Sequence, residues 1–537
     1  MKMLTFGLAV VVCASGSIGA AQAPPTSFRL LEATIDDIHA AFRTNRLTCR
    51  ALVEGYLGRI EAYDKAGPRL NAVQIVNPRA LQDADRLDAM FRASGPVGPL
   101  HCIPVLVKDQ VETSDMPTTY GSILFKDFVP RRDATVVAKL RQAGALLIGK
   151  STMGEYAAGY LSTASAGGAI RNAYDPKRNA AGSSSGSGTG VAANFSTLAI
   201  AEDTGGSTRG PAAVHSLVGL RPTVPLVSRF GMMPAKPSTD TLGPIARTVR
   251  DAALLLDVIA GYDPRDPVTA EAVGQIPKTY TAFLTPDGLK GARVGVIRQP
   301  IDLKADPASE DYRKVKAVMD RAIADLRRLG ADVVDPVTIP DLAQRVGRAW
   351  DVNVFETEPA MNGYLAQHPN APYKTLRDIL LSGKVVPSRM RVLMSNVGRS
   401  PQEAGYLQVL RINEEIRRDV FTVMADHRLD ALVHATYDHP PSEIGPNDMT
   451  DPQLDSTGRG SNRRLAPVLA FPALTVPAGF TTDGLPVGLE LLGRPYAEPA
   501  LLRLGYAYEQ ATRHRRPPAT TPDLGAGVTA SVSSDRR

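Results

Sequence analysis

The run Ile103-Pro104-Val105-Leu106-Val107 is followed by a helical pattern over residues 134–142 and then by Ala145-Leu146-Leu147-Ile148-Gly149, and these three segments set the fold class. Short apolar runs of this length read as buried strands, while the apolar residues between them recur at helical spacing. Strands that alternate with helices predict a largely parallel sheet covered on both faces. The alternation continues outward. Upstream, a helix starts at Thr34-Ile35-Asp36-Asp37. A second follows Thr48 with Leu52, Val53, Tyr56, Leu57 and Ile60 on one face, residues 70–76 read as a strand, and Pro78 opens another helix toward Phe91. Downstream, strands are expected at 197–201, 294–297, 332–337, 429–433, 473–476 and 487–492, with helices at 249–259, 312–329 and 499–514. Residues from about 340 to 428 read as predominantly helical, without recognisable chemistry. No internal repeat and no dividing linker interrupts the pattern, so one large domain is expected over residues 24–520.

Lys2 precedes an uncharged run, residues 3–14, that turns small and polar through Ser15, Ser17 and Gly19. That is the profile of a signal peptide, expected to span residues 1–23 with cleavage after Ala20 or Ala21. The run is too short and too diluted by Gly and Ser for a membrane span, and Cys13 lacks the small neighbour that lipidation needs. The mature chain is therefore expected in the periplasm or the medium, without stable membrane insertion. With 43% hydrophobic residues the composition is that of a globular protein. The net charge of +6 is scattered, and Arg513-His514-Arg515-Arg516 reads as a solvated helix end, so no nucleic-acid partner is expected. Cys49 and Cys102 could pair in an oxidising compartment, but two cysteines form no framework and no metal-type spacing, and they are read as free or buried thiols. The Gly/Ser/Ala-rich tail over residues 521–537 is expected to be disordered.

Two Gly-rich turns carry candidate chemistry. Gly182-Ser183-Ser184-Ser185-Gly186 matches G-x-S-x-G, which would make Ser184 a nucleophile served by His434, His439 or His514, but Arg178-Asn179-Ala180-Ala181 before it is no apolar strand. Asp203-Thr204-Gly205 resembles an aspartic-protease loop, yet a second such carboxylate is missing. Gly186-Ser187-Gly188 lacks the rest of a nucleotide fingerprint. A third reading needs no histidine, because a buried lysine loses its proton more readily and can activate a serine. Lys108, at the end of the strand 103–107, is placed for that.

The ordered set Ile103-Pro104-Val105-Leu106-Val107-Lys108-Asp109, Gly182-Ser183-Ser184-Ser185-Gly186-Ser187 and Asp203-Thr204-Gly205-Gly206-Ser207-Thr208-Arg209-Gly210-Pro211 resembles the amidase signature family. Val218-Gly219-Leu220-Arg221-Pro222-Thr223, the run from Asp240 to Thr248 and Gly484-Leu485-Pro486-Val487-Gly488-Leu489 extend the match over nearly the whole mature chain. The resemblance implies an α/β/α sandwich around a large mixed, mostly parallel sheet. It implies Ser207 as nucleophile, Ser183 as the bridging serine behind a cis peptide bond, and Lys108 as general base. Thr204, Gly205, Gly206 and Ser207 match the oxyanion donors; Ser184, Asp203 and Arg209 match supporting positions. Gln110 stands where Asn is usual, Cys102 where Gly is usual, and Ala201-Glu202 where Gly-Thr is usual.

The activity so implied is hydrolysis of carboxylic amides through a serine acyl-enzyme, with no metal or organic cofactor. The run Tyr506-Ala507-Tyr508-Glu509-Gln510 and the Gly-Ser-Ser-Ser-Gly-Ser variant look like those of bacterial peptide amidases and aryl acylamidases, so a small-molecule amide or short amidated peptide is the expected substrate. Aliphatic amides, urethanes and esters are the chemical alternatives. A transamidating enzyme component sharing the triad and a non-catalytic binding protein on the same fold are the alternatives of other classes. An intact triad argues against the last.

Overall fold

The computed structural model describes residues 28–455 and 462–525. The expected signal peptide lies outside the described residues. The strands are β1 (Val73–Val76), β2 (Pro104–Lys108), β3 (Leu146–Ser151), β4 (Thr163–Ala164), β5 (Gly168–Ala169), β6 (Leu198–Glu202) and β7 (Val218–Arg221). Then follow β8 (Leu242–Ala246), β9 (Arg293–Ile297), β10 (Asp332–Val337), β11 (Ala431–Ala435), β12 (Ala473–Phe480) and β13 (Pro486–Leu492). β4 and β5 pair with each other, and the rest build one 11-stranded sheet in the order β1-β3-β2-β6-β8-β7-β12-β13-β11-β9-β10. Its parallel ladders are gathered in two blocks, β3-β2-β6 and β11-β9-β10, separated by antiparallel strands. The large mixed sheet with flanking helices is thus the expected α/β/α class.

Register places the chemistry. In the parallel β2–β6 pair Val105 stands opposite Leu198 and Val107 opposite Ile200, so Lys108 comes level with the end of β6, where Glu202 lies. β8 runs antiparallel to β6 with Leu242 opposite Glu202, which brings Asp240 to the same edge. The strands here are buried throughout, as continuous apolar runs require. On one side the helices Val249–Ile259 and Glu498–Thr512 pack on each other and on the sheet; Ser185–Ala192 and Arg209–Ala213 form a second such pair.

Several expectations change. The Gly/Ser stretch is not all loop: Ser185–Ala192 is a helix with every residue buried. Glycine is a poor helix former, but small residues let a backbone pack closely on its neighbours, and that burial decides. β7 and β8 escaped the pattern because Gly219, Gly243 and Pro244 interrupt their apolar runs. The reading of Cys49 and Cys102 as unpaired is overturned, since they form a disulfide with a Cα–Cα distance of 5.8 Å. Cys49 opens the helix that follows Thr48, and Cys102 sits at φ 54° just before β2. That left-handed backbone explains why glycine is usual there. Two cysteines 53 positions apart carry no such information in sequence. Thr521 and Pro522 accept hydrogen bonds from Arg59 at 2.8 and 2.9 Å. Residues 526–537 of the tail lie outside the described residues.

Candidate active site

Lys108 Nζ donates to Ser183 Oγ and to Glu202 Oε2, each at 2.8 Å, and both residues of the ion pair are fully buried. Ser183 follows a cis peptide bond to Gly182. Its carbonyl accepts the Gly154 N–H at 3.0 Å, and Arg463 reaches the Gly182 carbonyl at 3.1 Å, so the backbone that carries the hydroxyl is held from two sides. Burial pulls the Lys108 ammonium below its ordinary pKa, and the adjacent Glu202 opposes that fall. Asp240 completes an acidic flank. Burial, reinforced by the charge of Glu202, pushes its carboxyl up to about 7. The Thr204 hydroxyl donates to Glu202.

The turn 203–208 is built around Asp203. Its carboxylate accepts the N–H groups of Gly206 at 2.8 Å and Thr208 at 3.1 Å, and pairs with Arg209 at 3.2 Å and Arg221 at 3.1 Å. Burial alone would raise this carboxyl, but the two guanidinium groups hold it well below the usual carboxylate range. Arg209 also bonds Glu490 and the Arg463 carbonyl, tying the turn to β13 and to the segment after residue 461. Ser184 donates to the Glu202 carbonyl at 3.0 Å and so links the two Gly-rich turns.

The Gly206 N–H is committed to Asp203, which removes it from the expected oxyanion donors. Among the described residues the N–H groups of Thr204, Gly205 and Ser207 have no hydrogen-bond partner in the protein. Thr204, Gly205 and Ser207 line a cavity of about 80 Å³, closed on other sides by Tyr156, Lys236 and Trp350. Gly205 and Gly206 are both needed bare. A Cβ at Gly205 would overlap the Trp350 ring, and one at Gly206, where φ is 98°, would overlap the Arg463 side chain.

The structure therefore brings Lys108, Ser183, Ser184, Thr204, Gly205 and Ser207 to one place, supported from behind by Asp203 and Arg209. Among the described residues it brings no histidine there. Ser184 is engaged with the backbone of β6, His439 faces Asp438 at 3.1 Å, His514 lies 3.7 Å from Asp325, and His434 bonds the Ala435 carbonyl at 3.0 Å. The G-x-S-x-G alternative has no base. Sequence reasoning missed Glu202, whose signal was its departure from the usual Thr. The segment 340–428 is helical as expected, but its share in the site was not foreseen: it supplies Trp350, Asn353, Thr357, Leu393 and Asn396 to the cavity.

A lysine buried beneath a glycine-rich turn, at the edge of such a mixed sheet, is the architecture of a hydrolase that acts on carbon–nitrogen bonds. The chain belongs to the amidase family, whose profile matches residues 51–502. It is similar to the native peptide amidase of Stenotrophomonas maltophilia, with 36% identity, a TM-score of 0.83, and 93% of this chain and 100% of that one covered. A peptide amidase solved with the competitive inhibitor chymostatin superposes with a TM-score of 0.81 at 36% identity, over 91% of this chain and 99% of that one. A probable amidase of Arabidopsis thaliana is 34% identical over 92% of each chain. A glutamyl-tRNA(Gln) amidotransferase subunit of a Synechococcus strain is likewise 34% identical, over 91% of this chain and 94% of its own.

Proposed function

We propose that this amidase cleaves small peptide C-terminal amides or aryl amides through an acyl-enzyme on Ser207. The observation that carries the reading is the Lys108–Ser183 contact at 2.8 Å, fully buried beside a cavity shared by Ser207 and the unpaired N–H groups of the turn. In this scheme Ser207 Oγ attacks the amide carbon while its proton passes through the Ser183 hydroxyl to neutral Lys108. The developing oxyanion is met by the N–H groups of Thr204, Gly205 and Ser207, each worth about 3 kcal/mol in comparable sites. The proton returns by the same path to the leaving nitrogen, which departs as ammonia or an amine, and water then releases the acid. The likeness to peptide amidases supports the peptide-amide choice.

A mass-spectrometric screen of amidated peptides, anilides, aliphatic amides and carbamates tests the reading. Wild type is expected to hydrolyse a peptide amide or an anilide. Lys108→Ala and Ser207→Ala should each lose at least about a thousandfold in rate, about 4 kcal/mol, whereas variants of His434, His439 and His514 should acylate. Retention of activity within tenfold by Lys108→Ala would sink the mechanism. We also propose export. The N-terminal profile and a buried disulfide, the kind of bond that oxidising compartments preserve, both support it. N-terminal sequencing of the mature protein decides; an intact Met1 on a cytoplasmic product refutes it.

A further inference from the structure

Lys236 is a buried cation with no anion assigned to it. It is 5% exposed, lines the same cavity as Ser207, and its Nζ makes no hydrogen bond. Its Nζ lies over the Trp350 indole, 2.9 Å from the ring centroid. Arg464 lies over the same indole at 5.1 Å and lines the same cavity. The carboxylates around Lys236 act on it through space, without a hydrogen bond to its Nζ. Asp240 Oδ2 accepts the N–H groups of Ala235 and Lys236 itself, both at 2.8 Å, and its Oδ1 is buried without a partner, while Glu356 accepts the Ser238 N–H at 3.0 Å and the Tyr406 hydroxyl at 2.6 Å. Asp351 is exposed to solvent. An ammonium withdrawn from water without a counter-ion is unfavourable, and burial together with the nearby Arg464 lowers the Lys236 pKa well below its ordinary value. A bound anion would reverse that penalty.

Position narrows the ligand. Trp350 packs against Gly205, and Gly205 is two residues from Ser207, so the Lys236 head group sits one aromatic ring away from the oxyanion turn. Lys236, Arg464 and Ser207 line one cavity of about 80 Å³, so a ligand held by Lys236 reaches the turn within a few bonds. We propose that Lys236 recognises a carboxylate a few bonds from the scissile carbonyl, so that the preferred substrates are amides of acidic acyl groups, such as a peptide ending in aspartic or glutamic amide. The inference rests on the amide-hydrolase reading above and narrows its substrate. Trp350 forms one wall of the site between the two cations and lends its face to Lys236 until the carboxylate arrives.

Two measurements on the full chain test it. In steady state, wild type should prefer N-acetyl-glutamic amide over N-acetyl-methionine amide by at least tenfold in kcat/KM, chiefly through KM. Lys236→Met, or Lys236→Gln if the first variant folds poorly, should bring that ratio to within about threefold of unity. Equal losses on both substrates, or a wild-type preference for the neutral amide, would overturn the proposal. Binding is read separately in Ser207→Ala, because Trp350 is the one tryptophan of the chain and its emission reports the cavity. Succinamate should bind at least tenfold more tightly than butyramide, and the added Lys236→Met should abolish the difference. If wild type hydrolyses neither peptide amide, the peptide-amide reading fails, while this binding comparison still decides the anion site: equal affinities for the two ligands would refute it.

Discussion

Replacing Glu202 by Gln removes the one anion in direct contact with Lys108 and leaves the hydroxyl of Ser183 in place. At the observed 2.8 Å, the gross Coulomb attraction of such a pair is about 6 kcal/mol at an effective dielectric constant of 20. Desolvation of both partners consumes much of it, and an opposite charge at this range typically displaces a titration by about 1–3 pH units. The sign follows from which form reacts. Glu202 favours the ammonium, whereas the base in the proposed mechanism is the amine, and in that mechanism kcat/KM rises with pH as the free enzyme's lysine loses its proton. Glu202→Gln should therefore move the acidic limb of kcat/KM at least one pH unit toward acid, a difference of about 1.4 kcal/mol per unit. Asp240 is the group that would blunt the shift. Once the Glu202 charge no longer raises it, its own carboxyl ionises at lower pH and returns part of the negative field to Lys108. The double variant Glu202→Gln/Asp240→Asn should show the larger displacement, and Glu202→Thr, with the residue usual at that place in the family, should move the limb in the same direction. The assay is ammonia release from N-acetyl-methionine amide from pH 5 to pH 10. A limb that stays in place or moves toward alkali in both single variants would show that Glu202 does not tune the lysine.

Gly205→Ala should lower kcat/KM at least about a hundredfold, close to 3 kcal/mol, because the new methyl group occupies the place of the Trp350 ring and displaces either the ring or an oxyanion donor. Adding Trp350→Ala should recover part of that loss, and a purely additive double variant would argue against the contact as its cause. Reduction, or the pair Cys49→Ser and Cys102→Ser, opens a loop of 53 positions and should cost about 3–4 kcal/mol in denaturant unfolding. An unchanged midpoint would mean that the bond stabilises little. Burial pushes the Glu509 carboxyl up to about 8, with Asp251 nearby as a like charge. The folded state thus holds a proton that the unfolded state releases near the ordinary glutamate pKa. The stabilisation is complete below that value and is lost as the pH rises through about 8. Glu509→Gln keeps an acceptor for the Val249 N–H, which now bonds Glu509 at 2.8 Å, so its Tm relative to wild type should climb between pH 5 and pH 9; a constant difference would refute the assignment.

The parts of the fold legible in the sequence are those whose burial is two-sided and local. β2, β3, β6 and the helix Val249–Ile259 show as uninterrupted apolar runs or a clean helical period, and the structure puts them within a residue or two of the expected bounds. The parts that were not legible owe their conformation to neighbours far along the chain. The helix Ser185–Ala192 has the composition of a loop, and it is helical because it is enclosed on all sides. β8 reads as broken at Gly243-Pro244, yet its place between β6 and β7 supplies the pairing that local propensity does not. The disulfide is of the same kind, since two distant residues meet only once the first helices have docked against the start of β2.

The candidate site follows the same division, and this is why its least familiar member matters most. Lys108, Ser183 and Ser207 are visible because each lies in a motif with its own spacing, whereas what surrounds them is assembled by register. Glu202 ends β6, a parallel neighbour of β2, and its carboxylate accepts from Lys108 at the end of β2. In sequence it was only a substitution of a polar residue by an acidic one. In the sheet the same change places a carboxyl 2.8 Å from the lysine and raises Asp240 beyond it. Lys108 thus shares its buried environment with Glu202, Asp203 and Asp240. Such a lysine is not made neutral by burial alone. The charges of Glu202 and Asp240 oppose the effect of burial on its proton, so under the proposed mechanism the pH at which the enzyme becomes active depends on these neighbours as well as on Lys108 itself.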